Sequence, residues 1–271
     1  MKIGVFDSGV GGLTVLNELL QAVPQASYLY AGDTARLPYG SKSAATVARY
    51  AVSSSRFLIE QGAEFLVIAC NTATALALDK IRAASEVPVI GVVEPGACAA
   101  AASTKTRKVN VIGTAATVAS HAYAKSLSKK KIIAAEKACP LFVPLVEEGW
   151  TDHPVTEQVA RIYLDELGLL KSSGSEEDGA DVLLLGCTHY PLLKGLLHRL
   201  LPEQVKVVDS AAATAAAVAE ALAERGKERP AGSRNPEIQF FATDSVEKFR
   251  ALGERFLGRE IRNVELISLP E

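Results

Sequence analysis

Short apolar segments alternate with segments of helical spacing along almost the whole chain. The apolar segments predict strands at residues 3–6, 27–31, 65–69, 87–90, 109–112, 131–134, 181–185, 204–208 and 237–241. Helical spacing lies between them, for example in 46–58 and 155–166, and polar loops are expected at 171–179 and 225–236. Apolar strands that alternate with helices are typical of parallel sheets covered on both faces. The sequence therefore predicts an α/β protein built from doubly wound parallel sheets.

The pattern contains two similar segments, each a predicted strand followed by a cysteine. The predicted strand 65–69 ends just before Cys70, and the strand 181–185 ends just before Cys187. Open parallel sheets bind their ligands at the carboxyl ends of the strands. Two similar lobes facing each other would place one thiol on each wall of a cleft. We therefore predict two α/β lobes with the active site between them.

Cys70 is followed by Asn71 and Thr72, where the strand opens into a helix. A helix N-terminus at this point is expected to lower the thiol pKa from about 8.5 and to favour the thiolate. The alternative is a small buried cysteine that only packs, which is common.

Cys187 precedes Thr188 and His189, so a thiol and an imidazole lie two residues apart. They could be metal ligands, but the chain has four histidines and no C-x-x-C, so a closed zinc site lacks obvious partners. An acid–base pair is the better interpretation. The two other cysteines, Cys98 and Cys139, are expected to pack without a chemical role.

The loop after the first strand, residues 8–13, is rich in glycine. It resembles a dinucleotide fingerprint, but the third glycine position is occupied by Thr14. We instead expect these glycines to let backbone N–H groups approach a small anion such as a carboxylate.

A second turn-rich loop contains Tyr39 and Gly40, whose amides could hold a carboxylate, while Asp33 and Arg36 could pair on the surface. In the sequence Glu147-Glu148, one glutamate is expected to point inward, since an apolar stretch precedes it.

The composition excludes several classes of protein. With 29 Lys and Arg against 31 Asp and Glu, the net charge of −2 argues against a nucleic-acid-binding protein. Four cysteines are too few for a disulfide scaffold in 271 residues. The chain has no apolar stretch long enough for a membrane span and no signal peptide, so we expect a cytoplasmic protein with reduced thiols.

The motifs together resemble those of the glutamate racemases of bacterial cell-wall synthesis, in the aspartate/glutamate racemase superfamily. The matching segments are 5–15, 32–36, 38–40, 69–73, 91–96, 113–114 with Thr117, 144–149, 186–191 and 208–210. The resemblance implies interconversion of L- and D-glutamate without a cofactor or metal, supplying D-glutamate for peptidoglycan.

The same resemblance implies roles for particular residues. Cys70 and Cys187 would be the two acid–base groups, Asp7 and His189 would tune them, and Glu147 would assist. The residues expected to bind substrate are Asp7, Ser8, Tyr39, Gly40, Asn71, Thr72, Thr114, Thr117, Thr188 and His189. The first lobe would comprise 1–95 with 210–271, and the second 96–209. A homodimer is also expected in this family.

Three alternatives stay open at this point. The chain could racemise aspartate or another acidic amino acid, bind an amino acid without turnover, or act as a thiol hydrolase or acyltransferase. Some relatives carry an N-terminal extension and respond to a cell-wall nucleotide precursor. The sequence given begins at its first strand, so we expect no such activation.

Overall fold

Two parallel sheets organise the molecule in a computed structural model that describes residues 1–170, 179–226 and 236–270. The strands are β1 Lys2–Asp7, β2 Ser27–Gly32, β3 Phe65–Ile68, β4 Val89–Gly91, β5 Lys108–Gly113, β6 Ile133–Ala138, β7 Val182–Gly186, β8 Lys206–Asp209, β9 Ile238–Ala242 and β10 Val264–Leu266. Most of the two polar loops expected at 171–179 and 225–236 lies outside the described residues.

The helices connect the strands and cover the sheets. They are α1 Leu13–Ala22, α2 Ala44–Glu60, α3 Asn71–Ala83, α4 Val93–Ser103, α5 Ala115–Ser120, α6 Ala122–Lys129, α7 Phe142–Glu147, α8 Pro154–Asp165, α9 Lys194–Leu200, α10 Ala211–Ala223 and α11 Val246–Leu257. The helices predicted around 46–58 and 155–166 correspond to α2 and α8.

The first sheet has the strand order β10-β9-β2-β1-β3-β4, and the second has the order β6-β5-β7-β8. Every neighbouring pair is parallel. Central strands such as β3 and β7 are buried along their whole length, because helices lie on both faces. The predicted α/β fold of doubly wound parallel sheets is therefore confirmed.

Two details of the strand prediction were wrong. The sixth strand begins at Ile133 rather than Lys131, because Lys131 has a positive φ of 59° and its amide closes the turn after α6 on the carbonyl of Ser128. The last strand, β10, was not predicted. It is short, partly exposed and carries Glu265 between two apolar residues, so it has little apolar signal.

A continuous cluster of buried apolar side chains joins the two sheets. It includes Leu16 of α1, Val218 of α10 and Leu183 of β7. The two sheets are therefore joined by this packed cluster, here called the seam, and not by a flexible linker alone. The seam fixes how far apart the strand ends of the two sheets lie.

Phe142 packs among the helices that cover the second sheet, and its substitution tests that packing. Its ring is fully buried and meets the rings of Tyr163 and Tyr190 edge-on, at centroid distances of 5.2 and 5.3 Å. Phe142→Ala is expected to lower the free energy of unfolding by about 3–5 kcal/mol, because it leaves a cavity between these rings. Urea denaturation measures the change.

Ile162→Ala is the matched control, since Ile162 is 58% exposed on α8. Its effect should stay within about 0.5 kcal/mol. Equal destabilisation by the two variants would contradict the packing described here.

Candidate active site

The carboxyl ends of β1, β3, β5 and β7 surround a cavity of about 500 Å³. Eleven of the predicted site residues line it: Ser8, Tyr39, Gly40, Cys70, Asn71, Thr72, Thr114, Glu147, Cys187, Thr188 and His189. Two others, Asp7 and Thr117, are buried behind the wall. The predicted thiols thus reach one cavity from different sheets.

Cys70 caps the N-terminus of α3. Its Sγ accepts a hydrogen bond from the amide of Ala73 at 3.4 Å, and its thiol donates to Ser8 Oγ at 3.5 Å. Burial raises the pKa of Cys70 to about 12, with a further increase from the Asp7 carboxylate. The expected lowering of this pKa is therefore wrong, because burial and a nearby carboxylate outweigh the helix terminus.

Asp7 lies behind Cys70 at the end of β1 and is fully buried. The amide of Gly9 donates to its Oδ2 at 2.9 Å, while Oδ1 has no hydrogen-bond partner in the part of the chain that the structure describes. Burial raises the pKa of Asp7. Gly12 allows this arrangement, because a Cβ at that position would lie 2.6 Å from the Cβ of Asp7.

The glycine loop after β1 also touches the second sheet's loop. A Cβ on Gly11 would lie 2.3 Å from Thr188 Oγ1 and 2.6 Å from His189 Nδ1. We expected these glycines to expose amides to an anion. The amide of Gly9 donates to the carboxylate of Asp7, and Gly11 and Gly12 allow close packing.

Cys187, His189 and Glu147 form a chain along the opposite wall. Cys187 Sγ lies 4.0 Å from His189 Nδ1, and His189 Nε2 lies 3.1 Å from Glu147 Oε1. Burial acts to lower the pKa of His189, but Cys187, Glu147 and Asp7 outweigh it and raise the pKa to about 10. The hydrogen bond from His189 in turn lowers the pKa of Glu147. Of the glutamate pair, Glu147 points inward and Glu148 is exposed, as expected.

Three threonine hydroxyls link the two walls. Thr72 Oγ1 lies 2.9 Å from Thr114 Oγ1 and 3.2 Å from Thr117 Oγ1, and the last two lie 2.9 Å apart. Asn71 Nδ2 donates to Tyr123 Oη at 2.7 Å, and Asn71 Oδ1 is buried without a hydrogen-bond partner among the described residues.

Tyr39 fixes the loop that closes the cavity near Gly40. Its hydroxyl donates to Asp33 Oδ2 at 2.5 Å, and Arg36 Nε lies 3.5 Å from Asp33 Oδ1. The expectation of a surface pair is wrong for Asp33, which is buried. The buried carboxylate anchors Tyr39, so the backbone at residues 39–40 faces the cavity from a rigid turn.

The two remaining cysteines differ from each other. Cys139 is buried, and burial raises its pKa to about 12. Cys98 is exposed beside Glu94, so the prediction that it packs inside the protein was wrong. Its helix, α4, is rich in alanine and has no clear polar face that could have oriented it.

Several cavity residues were missed by the sequence analysis. Leu37, Pro140, Val143 and Pro144 supply apolar wall, and Lys248 of α11 supplies a cation. The charged residues of α11 read as an ordinary solvated helix face, so nothing in the sequence separated Lys248 from its neighbours.

In the described part of the chain, no group of three or more His, Cys, Asp or Glu side chains is arranged to hold a metal ion. A helix of the length and apolarity that a membrane span requires is likewise absent from those residues.

A family model described as Asp/Glu/Hydantoin racemase matches residues 3–218. A glutamate racemase of Koribacter versatilis is 57% identical, and the alignment covers 98% of this chain and 97% of the relative. The chain belongs to the glutamate racemase family.

Solved structures of this family share its fold closely. The crystal structure of glutamate racemase from Francisella tularensis in complex with D-glutamate superposes with a TM-score of 0.88 at 37% identity, covering 98% of this chain and 97% of that one. An aspartate racemase homologue from Pyrococcus horikoshii reaches a TM-score of 0.58 at 18% identity, covering 82% of this chain and 99% of that one, so it shares the fold alone.

In this member of the glutamate racemase family, the state of His189 can be tested directly. Glu147→Gln is expected to lower the pKa of His189 from about 10, because the carboxylate stabilises the imidazolium. Ring ¹H–¹⁵N NMR during a pH titration measures this pKa. Glu148→Gln, which changes the adjacent exposed glutamate, should leave the pKa unchanged.

The sign of the pH dependence follows from the same shift. The pKa of His189 is higher in the folded state, at about 10, than its ordinary value of 6.5. Protonation of His189 therefore stabilises the folded state. This stabilisation is fully present below pH 6.5 and is lost as the pH rises through 10. An unchanged His189 pKa in Glu147→Gln would contradict the link between these groups.

Proposed function

We propose that the protein interconverts L- and D-glutamate by a two-thiol mechanism that needs no cofactor. One observation carries the proposal: Cys70 and Cys187, from different sheets, line the same cavity. Full-length similarity to glutamate racemases, one of them in complex with D-glutamate, supports glutamate as the substrate.

The chemistry requires a base on each side of the substrate carbon. The α-hydrogen is a weak acid, and inversion removes it from one face while a proton arrives at the other. One sulfur takes the hydrogen from Cα as a thiolate, and the other gives its S–H proton to the opposite face. The first cysteine then ends as a thiol and the second as a thiolate, which is the starting state for the reverse reaction.

The environments of the two sulfurs suit complementary roles. With its pKa raised to about 12, Cys70 holds its proton at neutral pH and is ready to donate it. Its thiolate, once formed beside Asp7, is correspondingly a strong base for the return reaction. Cys187 lies beside His189, whose pKa of about 10 keeps the imidazole protonated at neutral pH, and Glu147 holds that ring in place. We assign the tuning of Cys70 to Asp7 and that of Cys187 to His189 and Glu147.

Substrate binding is assigned to the polar groups that surround the sulfurs. Hydroxyls of Ser8, Thr72, Thr114 and Thr188, backbone groups of Tyr39 and Gly40, and the side-chain amide of Asn71 would hold the carboxylates and the ammonium. Asp7 and Thr117 lie behind the wall and would act through the residues in front of them.

Cys70→Ala and Cys187→Ala should each reduce racemisation of glutamate by at least about a thousandfold, because each removes one of two obligatory proton carriers. Circular dichroism from purified protein, with no cofactor added, follows the conversion. Cys98→Ala is the control, since this thiol is exposed and lies outside the cavity wall. Activity retained in both site variants would contradict the mechanism.

Aspartate racemisation is the second candidate reaction. The 57% identity to a glutamate racemase, against 18% for the aspartate racemase homologue, favours glutamate. We expect the rate with glutamate to exceed the rate with aspartate, and a direct comparison of the two decides. Calorimetric binding without turnover would instead indicate an amino-acid-binding protein, and an acylated cysteine in mass spectra would indicate acyl transfer.

We extend the proposal to the role of the protein in the cell, its division into lobes and its oligomeric state. A cytoplasmic racemase would supply D-glutamate for peptidoglycan, and its expression should restore growth of a bacterium that requires added D-glutamate.

The division into a lobe of 1–95 with 210–271 and a lobe of 96–209 is supported by the strand order of the two sheets. A homodimer stays a prediction. Exposed Leu141, Trp150 and Val155 offer it an apolar contact, and light scattering measures the mass.

A further inference from the structure

Lys248 is the only lysine or arginine that lines the cavity within residues 1–170, 179–226 and 236–270. It lies in the first turn of α11, a helix that was not connected with the site by any sequence motif. Apart from Lys248, the charged or chargeable side chains of the wall among these residues are Glu147, His189, Tyr39 and the two thiols. The remaining polar wall consists of neutral hydroxyl and amide groups.

The helix that carries Lys248 is fixed to both sides of the cavity. Phe249 is buried and its ring lies 5.9 Å from that of Tyr30, while Phe256 meets the ring of His189 edge-on at 5.1 Å. Arg255 Nη1 also donates to the backbone carbonyl of Glu147 at 3.3 Å. The position of Lys248 at the edge of the cavity is therefore set by packing, although its own side chain is exposed.

The charge of Lys248 is not neutralised by a neighbour. No carboxylate lies within ion-pairing distance of its ammonium in the described part of the chain. Glu147 shares the cavity wall with it, but the Glu147 carboxylate is already engaged by His189 at 3.1 Å. The ammonium of Lys248 also acts to lower the pKa of Glu147, after the hydrogen bond and the charge of His189.

A dicarboxylic amino acid carries two negative charges and one positive charge at neutral pH. Neutral groups of the site can donate hydrogen bonds to the carboxylates. The cation without an ion-pair partner among the described residues is Lys248, at the edge of the cavity. We infer that Lys248 recruits the acidic amino acid by attracting its net negative charge, and so favours diacids over neutral amino acids. This inference rests on the proposed racemisation and adds a residue that determines its substrate class.

The test compares Lys248→Gln and Lys248→Glu with Arg250→Gln. Arg250 is exposed on the same helix and lies outside the cavity wall. Arg250→Gln removes one positive charge, as Lys248→Gln does, but not from the cavity. At low ionic strength, Lys248→Gln should raise the KM for glutamate about two- to fivefold, as for a partly exposed ion pair. Lys248→Glu should raise it by roughly the square of that factor. The kcat of both variants should stay within about twofold of wild type.

Two further readouts separate recruitment from a structural role. Raising the ionic strength to about 0.5 M should bring the KM values of wild type and Lys248→Gln together, because salt screens the attraction. Lys248→Arg should retain the wild-type KM, and Arg250→Gln should leave it unchanged at both ionic strengths.

The outcomes distinguish this inference from the proposed function. Absence of glutamate racemisation in the wild type would overturn the function itself. An active wild type with equal KM values for Lys248→Gln and Arg250→Gln would overturn only the role of Lys248. A fall in kcat at constant KM would also overturn it, since Lys248 would then act through Glu147 and His189 and not on the substrate.

Discussion

The contact between the loops that follow β1 and β7 determines the geometry on which the site depends. Gly11 touches Thr188 and His189 so closely that a single added Cβ would overlap both side chains. Thr14 Oγ1 adds a hydrogen bond to the carbonyl of Thr188 at 3.3 Å. This contact holds the carboxyl edges of two sheets against each other. The thiols at those edges therefore reach one cavity from two directions.

Burial then sets different electrostatic conditions for the two sulfurs. Burial raises the pKa of the Cys70 thiol and keeps it protonated, and the buried carboxylate behind it opposes a second negative charge as well. Cys187 has an imidazole beside it, and Glu147 maintains the positive charge of that ring. A reaction that takes a proton on one side and delivers one on the other needs such an asymmetry at the start. In the proposed reaction, the residues that flank each cysteine would supply it.

Much of this arrangement could be predicted from the sequence, because strand ends are local features. The positions of Cys70 and Cys187 after apolar strands predicted that both lie at the sheet edge where ligands usually bind, and the family motifs predicted other residues that line the cavity or lie behind its wall. The state of each group was harder to predict. The pKa of Cys70 depends on burial and on Asp7, and the glycine loop serves packing against Thr188, a contact remote in sequence.

Contacts between distant segments account for the remaining differences. Lys248 joins the cavity wall because α11 packs between the two sheets, against Tyr30, His189 and the end of α7. Cys98 was misplaced because a helix of alanines gives no periodicity from which to orient a side chain. Such features arise from tertiary packing, and sequence patterns carry little information about them.

The fate of the α-hydrogen tests the two-thiol account most directly. In D₂O the thiols exchange their protons for deuterons, so the sulfur that donates to Cα delivers deuterium. During the first few per cent of conversion, the product enantiomer should carry one deuterium at Cα while the unreacted glutamate keeps its hydrogen, starting from either enantiomer. Product that retains the original hydrogen, or deuterium that enters the unreacted substrate first, would contradict a base on each face and point to a single one.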